Sequence, residues 1–227
     1  MIARPPVWVI ELATRFWTAV GEPPTFPRDL RSVLCWLPTI HVVEVPLLTL
    51  ARAAEQFARH GIPCRAPTTD RPLAGCFGGH RGIGVILFDS TLEFRELIFT
   101  LAHELAHYLR DYDKPRRKVL GRLGPKALDV LDGLRLPTLN ERLAGVLRDV
   151  RVGGYLHYLD RDQWGRIVTG EASEAEEAAD RLAYELLAPF DVFDAASCDR
   201  DTLSARLQSD FAFPAAQAAK YAAALIC

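Results

Sequence analysis

The sequence predicts an α+β chain, mainly helical, with a small sheet packed against one central helix. Three observations carry that prediction. Apolar residues recur at helical spacing through most of the 227 residues. Two short apolar runs flank a glycine-rich centre in LAGCFGGHRGIGVILFDS (73–90), as a hairpin requires. A strongly apolar helix containing TLAHELAHYL (100–109) follows it at once.

In chain order, Pro5 and Pro6 open a helix over 5–20, which the proline-rich GEPPTFP ends, and a second helix covers 28–37. HVVEV (41–45) is short and β-branched, and a helix over 46–61 runs from Pro46 to Gly61. Ile83–Phe88 is the best strand and is expected at the sheet edge nearest the central helix, which starts at Ser90 or Thr91. Main-chain pairing along that edge would hold an extended peptide.

After Leu109 the charged DYDKPRRK predicts a bend, followed by helices near 125–133 and 138–151 and an irregular stretch over 153–170. A long helix over 172–188 stops at Pro189, and pieces near 199–208 and 214–225 close the chain. These elements form a single expected domain, 1–227. It comprises an N-terminal helical part with the first strands (1–80), the edge strand and central helix (81–110), a helical insertion (111–170) and the C-terminal helices (171–227).

With 27 basic and 29 acidic side chains, the totals point to no direct nucleic-acid partner. The opening segment is not a signal peptide and no run is long enough for a bilayer, so a soluble cytoplasmic protein without a membrane partner is expected. Cys35, Cys64, Cys76, Cys198 and Cys227 are odd in number and show no CxxC spacing, which predicts free thiols.

TLAHELAHYL contains HExxH. At roughly 100° per residue His103 and His107 lie within about 40° of each other, so both rings can reach one ion. Phe94, Leu97, Ile98, Leu101, Leu105 and Tyr108 supply a core stripe without them. Glu104 flanks His103, where a carboxylate can act as general base on metal-activated water without being a ligand. The chemistry implied is amide hydrolysis.

A third ligand is sought in EASEAEEAADRLAYELLAP (171–189). Glu176, Asp180, Ala183 and Leu187 share one helical stripe, whereas Glu177, Arg181 and Glu185 form a series suited to solvent. Glu176 is thus the better ligand, with Asp180 placed to accept the outer N–H of a ligating histidine. The competing reading makes Ser173 and Glu176 a capping box.

The segments 84–109 and 174–189, with LSARLQSDFAFPAAQAAKYAAAL (203–225), resemble the ImmA/IrrE metallo-endopeptidases, zincin-like HExxH peptidases whose third ligand is a glutamate on a later helix. The resemblance implies His103, His107 and Glu176 as ligands of Zn2+ (with Mn2+ as another divalent choice), Glu104 as catalytic base and Asp180 behind the ligands. It also implies a protein substrate, helix-turn-helix transcriptional repressors among them, and a stress-response setting. Here the chain departs in its long 111–170 stretch and in lacking a recognisable N-terminal DNA-binding helix-turn-helix.

Two other functions remain open from the sequence: a non-cleaving anti-repressor or binding module on the same scaffold, and an amidase acting on a small molecule. His157, Tyr155 and Tyr158 are candidate oxyanion donors or ligands, with packing as the alternative. Cys76 and His80 flank the glycine-rich turn as a candidate metal plug, against ordinary hairpin roles. Trp8, Trp17, Trp36 and Trp164 are assigned to packing, and Asp70 with Arg71 to an exposed turn.

Overall fold

The computed structural model describes residues 3–21, 23, 25–64, 69–148, 150–157, 169–193 and 199–226. The elements are α1 (Val7–Val20), α2 (Leu30–Cys35), β1 (Ile40–Val45), α3 (Leu50–Arg59), β2 (Gly75–His80), β3 (Ile83–Asp89) and α4 (Phe94–His107). A π-helical turn (Tyr108–Asp113) then leads into α5 (Lys114–Leu123), α6 (Leu128–Leu131), α7 (Leu139–Leu143), β4 (Tyr155–His157), α8 (Gly170–Leu187), α9 (Arg200–Asp210) and α10 (Ala215–Leu225). The architecture is α+β, mostly helical, with a four-stranded mixed sheet. Contacts divide the chain into two compact units, Met1–Leu37, Thr91–Ala106 and Leu159–Cys227 in one, Pro38–Ser90 and His107–Tyr158 in the other.

The second unit holds the sheet, in the order β1-β3-β2-β4. β1 runs parallel to β3 with Ile40 opposite Gly84, β2 and β3 form an antiparallel hairpin, and β4 joins β2 with Phe77 opposite His157. β3 is therefore paired on both sides by its own chain, which overturns its expected place at the edge and, with it, strand addition of a peptide there. The physical reason is visible in the residues: Val85, Ile86, Leu87 and Phe88 are all buried. A continuous apolar run belongs to a strand covered on both faces, and a half-exposed edge alternates.

Parallel pairing of β1 and β3 needs a crossover, and α3 supplies it. Thr49 caps α3 by accepting from the Arg52 N–H, and Asp89 closes the turn after β1 by accepting from the N–H groups of Leu47 and Leu48 at 3.0 and 3.1 Å. Leu48, Ala53, Phe57, Ile62, Val85 and Leu87 form an apolar cluster in this unit.

Arg81 and Gly82, the two central residues of the hairpin turn, both take positive φ, at 50° and 82°, and of the glycines around it Gly82 alone supplies that conformation. The strand glycines serve a different purpose, because side chains lie where their Cβ atoms would be. A Cβ on Gly78 would sit 2.7 Å from Phe57, on Gly79 2.9 Å from Tyr112, and on Gly84 2.7 Å from Tyr108. Tyr108 and Tyr112 thus press onto the strands, both ring-to-ring with Phe77, and the Tyr112 hydroxyl accepts from the Gly82 N–H at 2.8 Å. The expected charged bend after Leu109 is absent; helical backbone continues through it to Leu123.

Several boundaries also differ from expectation. α3 begins at Leu50 and α4 at Phe94, each a few residues late, and α7 stops at Leu143 instead of reaching 151. The stretch expected to be irregular contributes β4. The 111–170 stretch is thus no mere appendage, since its described end completes the sheet.

The first unit is helical. α8 buries Ala179, Leu182, Ala183, Leu186 and Leu187, and α1 packs against it. Phe99 of α4 joins Tyr184 and Phe213, and Tyr184 stacks on Tyr221 at 4.6 Å between centroids. The Arg28 guanidinium lies over Trp17 and Phe26, and donates from Nη1 to the Leu186 carbonyl at 2.5 Å, a cation at the carbonyl end of α8.

Glu185, expected in solvent, is buried and accepts from the Phe190 N–H at 3.1 Å. Burial pushes its carboxyl up to about 7 despite that hydrogen bond. The charged form is thus disfavoured on folding, and the folded chain keeps a proton that the unfolded chain releases near its ordinary pKa. Stability from this group is full below that ordinary value, falls as pH rises toward 7 and stays low above it. Glu185→Gln should leave urea-unfolding stability near wild type at pH 4.5 and exceed it by roughly 1–3 kcal/mol at pH 8. Parallel pH profiles of the two proteins would reject this origin.

A second expectation concerns the strand glycines. Gly84→Ala should lower unfolding free energy by about 1–3 kcal/mol through overpacking against Tyr108. Gly121→Ala, where a Cβ meets nothing within 4 Å, is the matched control in denaturant titrations.

Among the described residues, no helix is long and apolar enough to cross a membrane. None of Cys35, Cys64 and Cys76 is in a disulfide; Cys198 and Cys227 lie outside the described residues.

Candidate metal centre

His103 and His107 stand one turn apart on α4, and their helix fixes the spacing of the two imidazoles. His103 is mostly covered and His107 wholly buried. Ile98, Leu101 and Leu105 form the buried stripe of α4, together with Ala102 and Ala106, while Phe94 at the first turn is exposed. The helix is thus covered nearly all round at its C-terminal end, and both histidines lie within that covered stretch.

α8 brings Glu176 and Asp180 to His103. His103 Nδ1 lies 3.0 Å from an Asp180 carboxylate oxygen, and Nε2 lies 3.2 Å from Glu176 Oε2. Glu176 has no capping duty: Thr169 caps α8 by accepting from the Ala172 N–H, and the SxxE box does not form. Glu177 and Arg181 pair in solvent on the other side, 3.5 Å apart.

With both ring nitrogens facing carboxylates, His103 has its charged form strongly supported. Burial works against the charge. Hydrogen bonds with Asp180 and Glu176 and the charge of Glu104 overcome it, and push His103 up to about 10.

His107 has its own carboxylate. Its Nδ1 lies 2.9 Å from Asp111, four residues on, within the π-helical turn. Burial disfavours a charged Asp111, but His107, Arg110 and their hydrogen bonds hold it below the usual carboxylate range. The His157 ring stacks on His107 with centroids 3.5 Å apart. Each histidine thus meets a carboxylate at Nδ1, which leaves Nε2 for an ion and fixes ring orientation.

His103, His107 and Glu176 each offer one ligand atom, and the three lie within 4.8 Å of one another. Two donors about 2.0–2.1 Å from a tetrahedral ion are roughly 3.3–3.4 Å apart, so the His103–Glu176 pair already has that separation. Two imidazoles and a carboxylate are a three-protein-ligand set of the kind that leaves a fourth position open. Glu104 Oε2 is buried with no hydrogen-bond partner. An orphaned carboxylate oxygen beside two histidines and a glutamate fits a group that arrives with the ion. The described residues therefore fit a divalent metal.

Asp111 is absent from the residues the sequence singles out, because a helix that ends at Leu109 leaves it in the charged bend. Its signal was nonetheless present, as an Asp four residues after a histidine. His157 stacks instead of joining the converging ligand atoms. Tyr155 packs on Phe77 and Tyr112. Cys76 is buried in the apolar cluster of the second unit, and His80 ends β2 with Nδ1 buried and unpaired. Asp70 accepts from the Ala51 N–H at the start of α3. Tyr158 and Trp164 lie outside the described residues.

Asp111→Asn should weaken divalent-metal binding by about 10–100-fold, and Asp180→Asn should do the same through the other histidine. Competition with a coloured chelator reads this directly, and unchanged affinity in both variants would remove the orienting role. No family model matches the chain, and no curated protein or solved structure matches it either.

Proposed function

We propose that the chain is a zinc-dependent endopeptidase that hydrolyses a peptide bond in a specific protein substrate. The observation that carries the reading is the convergence of His103, His107 and Glu176 beside a buried, unpartnered Glu104 Oε2. In this reading the three converging side chains hold the ion, and Asp180 and Asp111 orient the two imidazoles from behind. The ion supplies Lewis acidity, polarising a carbonyl and lowering the pKa of water.

Glu104 does the proton work. Its Oε2 takes a proton from the attacking water and later hands it to the leaving amine, so the carboxylate ends ionised as it began. Apolar burial around α4 keeps bulk water from competing for that proton. His103 must give up its Nε2 proton before that atom can ligate, so ion uptake is coupled to proton release.

The finer assignments belong to the same proposal: a zincin-like site, membership of the ImmA/IrrE-like peptidases, a cytoplasmic setting and a helix-turn-helix repressor as substrate. They are supported by HExxH followed by Glu176 and Asp180 on a later helix. The rival is a binding module that sequesters its partner without cleaving it, and nothing in the site favours it.

Glu104→Gln separates the two. Zinc stoichiometry should stay at wild type while cleavage of a helix-turn-helix repressor encoded beside the gene falls at least 100-fold. The readout is a single chelator-sensitive cut by mass spectrometry. Undiminished repressor release in cells carrying Glu104→Gln would defeat the peptidase reading.

A further inference from the structure

The near-neutral total charge conceals an uneven distribution. Residues 110–151 carry 11 Lys and Arg against 6 Asp and Glu. Most of those acids are already engaged: Asp111 with Arg110, Asp113 with Arg117, Asp132 with Arg116 and Glu141 with Arg135, at 2.6–2.8 Å. Lys118, Arg122 and Arg148 have no such partner among the described residues. These three line one cleft of about 540 Å³ between α5 and the turn at Gly145.

Beside that cleft stands α7, a helix that buries none of its residues. Its shape is nevertheless fixed. Thr138 and Glu141 form a reciprocal capping box, and Arg135 clamps Glu141 through two hydrogen bonds. Leu139 and Leu143, one turn apart, are 64% and 75% exposed. A five-residue helix held rigidly while presenting leucines to solvent is explained if something covers them.

We propose that this surface docks an acidic, leucine-bearing segment of the protein substrate. Unpaired cations next to exposed leucines match alternating carboxylates and apolar side chains, whereas a nucleic-acid backbone would gain nothing from the leucines. The proposal rests on the peptidase reading only for what the docked segment serves. Lys118 and Arg122 follow His107 by 11 and 15 residues on uninterrupted helical backbone. That is roughly 16–23 Å at about 1.5 Å per residue. About five to seven residues of extended peptide span it, which sets the distance between acidic segment and scissile bond.

The test uses the full chain carrying Glu104→Gln, so that binding is read without cleavage. Two fluorescein-labelled 16-residue peptides serve as probes, one with Leu and Glu at helical spacing and one with Lys for every Glu. Anisotropy should show the acidic peptide binding at least 10-fold tighter, with affinity falling as salt rises. Lys118→Glu with Arg122→Glu and Arg148→Glu should cost at least 10-fold for the acidic peptide and admit the basic one. Leu139→Ser with Leu143→Ser should weaken binding at least threefold at unchanged charge, with zinc content unaltered in every variant. Equal binding of both peptides, or wild-type affinity in the charge-reversed chain, would overturn the proposal. So would displacement of the peptide by a duplex oligonucleotide at lower concentration than unlabelled peptide. Failure of the peptidase reading looks different: peptide binding intact, with no chelator-sensitive cleavage by the wild type.

Discussion

The interaction on which the first unit depends is His103 held between Glu176 and Asp180. An imidazole surrounded by apolar residues is stable only with its polar atoms satisfied, and the two carboxylates arrive one turn apart on α8. That demand fixes the register of α8 against α4: sliding α8 by one residue would replace the carboxylate pair with Ala175 and Ala179 in one direction, or with Glu177 and Arg181 in the other. Ala179 and Ala183, both fully buried, keep the packed face of α8 small where the carboxylates are presented. At the far end of the same helix, Arg28 and the protonatable Glu185 show a different compromise, in which a buried acid is tolerated because it can become neutral.

The second unit answers the same constraint for His107. Here the carboxylate comes from the chain's own next turn, which is π-helical. Single π turns gather at functional sites because they re-aim side chains without ending the helix. The turn also sends Tyr108 and Tyr112 onto the sheet, where only glycine at positions 79 and 84 admits them. Orientation of His107 and packing of the sheet therefore rest on one local distortion, and stacking by His157 from β4 braces the ring from its face.

The helical half of this arrangement was legible because its period is strict. HExxH places two rings on one side, and the spacing of Glu176 and Asp180 places two carboxylates on another helix. What failed was reading residue type as local geometry. Pro115 and the charges around it suggested a bend, yet proline at the start of a new helical segment lacks only an N–H that the π-to-α junction does not use. GGHRG suggested a turn, which Arg81 and Gly82 make, both at positive φ; Gly78 and Gly79 are there for the rings above them. Glu185 continued a solvent-facing series of charges, but the helix C-terminus is packed around its whole circumference. β4, with three described residues, is too short to leave any period.

The uneven charge follows the same helical run. From Phe94 to Leu123 the backbone is helical without a break: its first half carries the histidines and Glu104, and its second half carries Lys118 and Arg122. A rigid helical spacer fixes the distance between two functions in a way that a loop cannot, because every residue adds a set rise. If chemistry occurs at one half and recognition at the other, specificity becomes a matter of length as well as composition. A substrate is then selected by how many residues separate its acidic segment from the bond presented to Glu104. This also accounts for the elaborate support of the 111–157 stretch. Val119, Ala127 and Leu131 form a core of their own, with Val146, Leu147 and Val150 packed onto it. Such a core suits a segment that holds a cleft open at a fixed place better than one that merely connects α4 to α8.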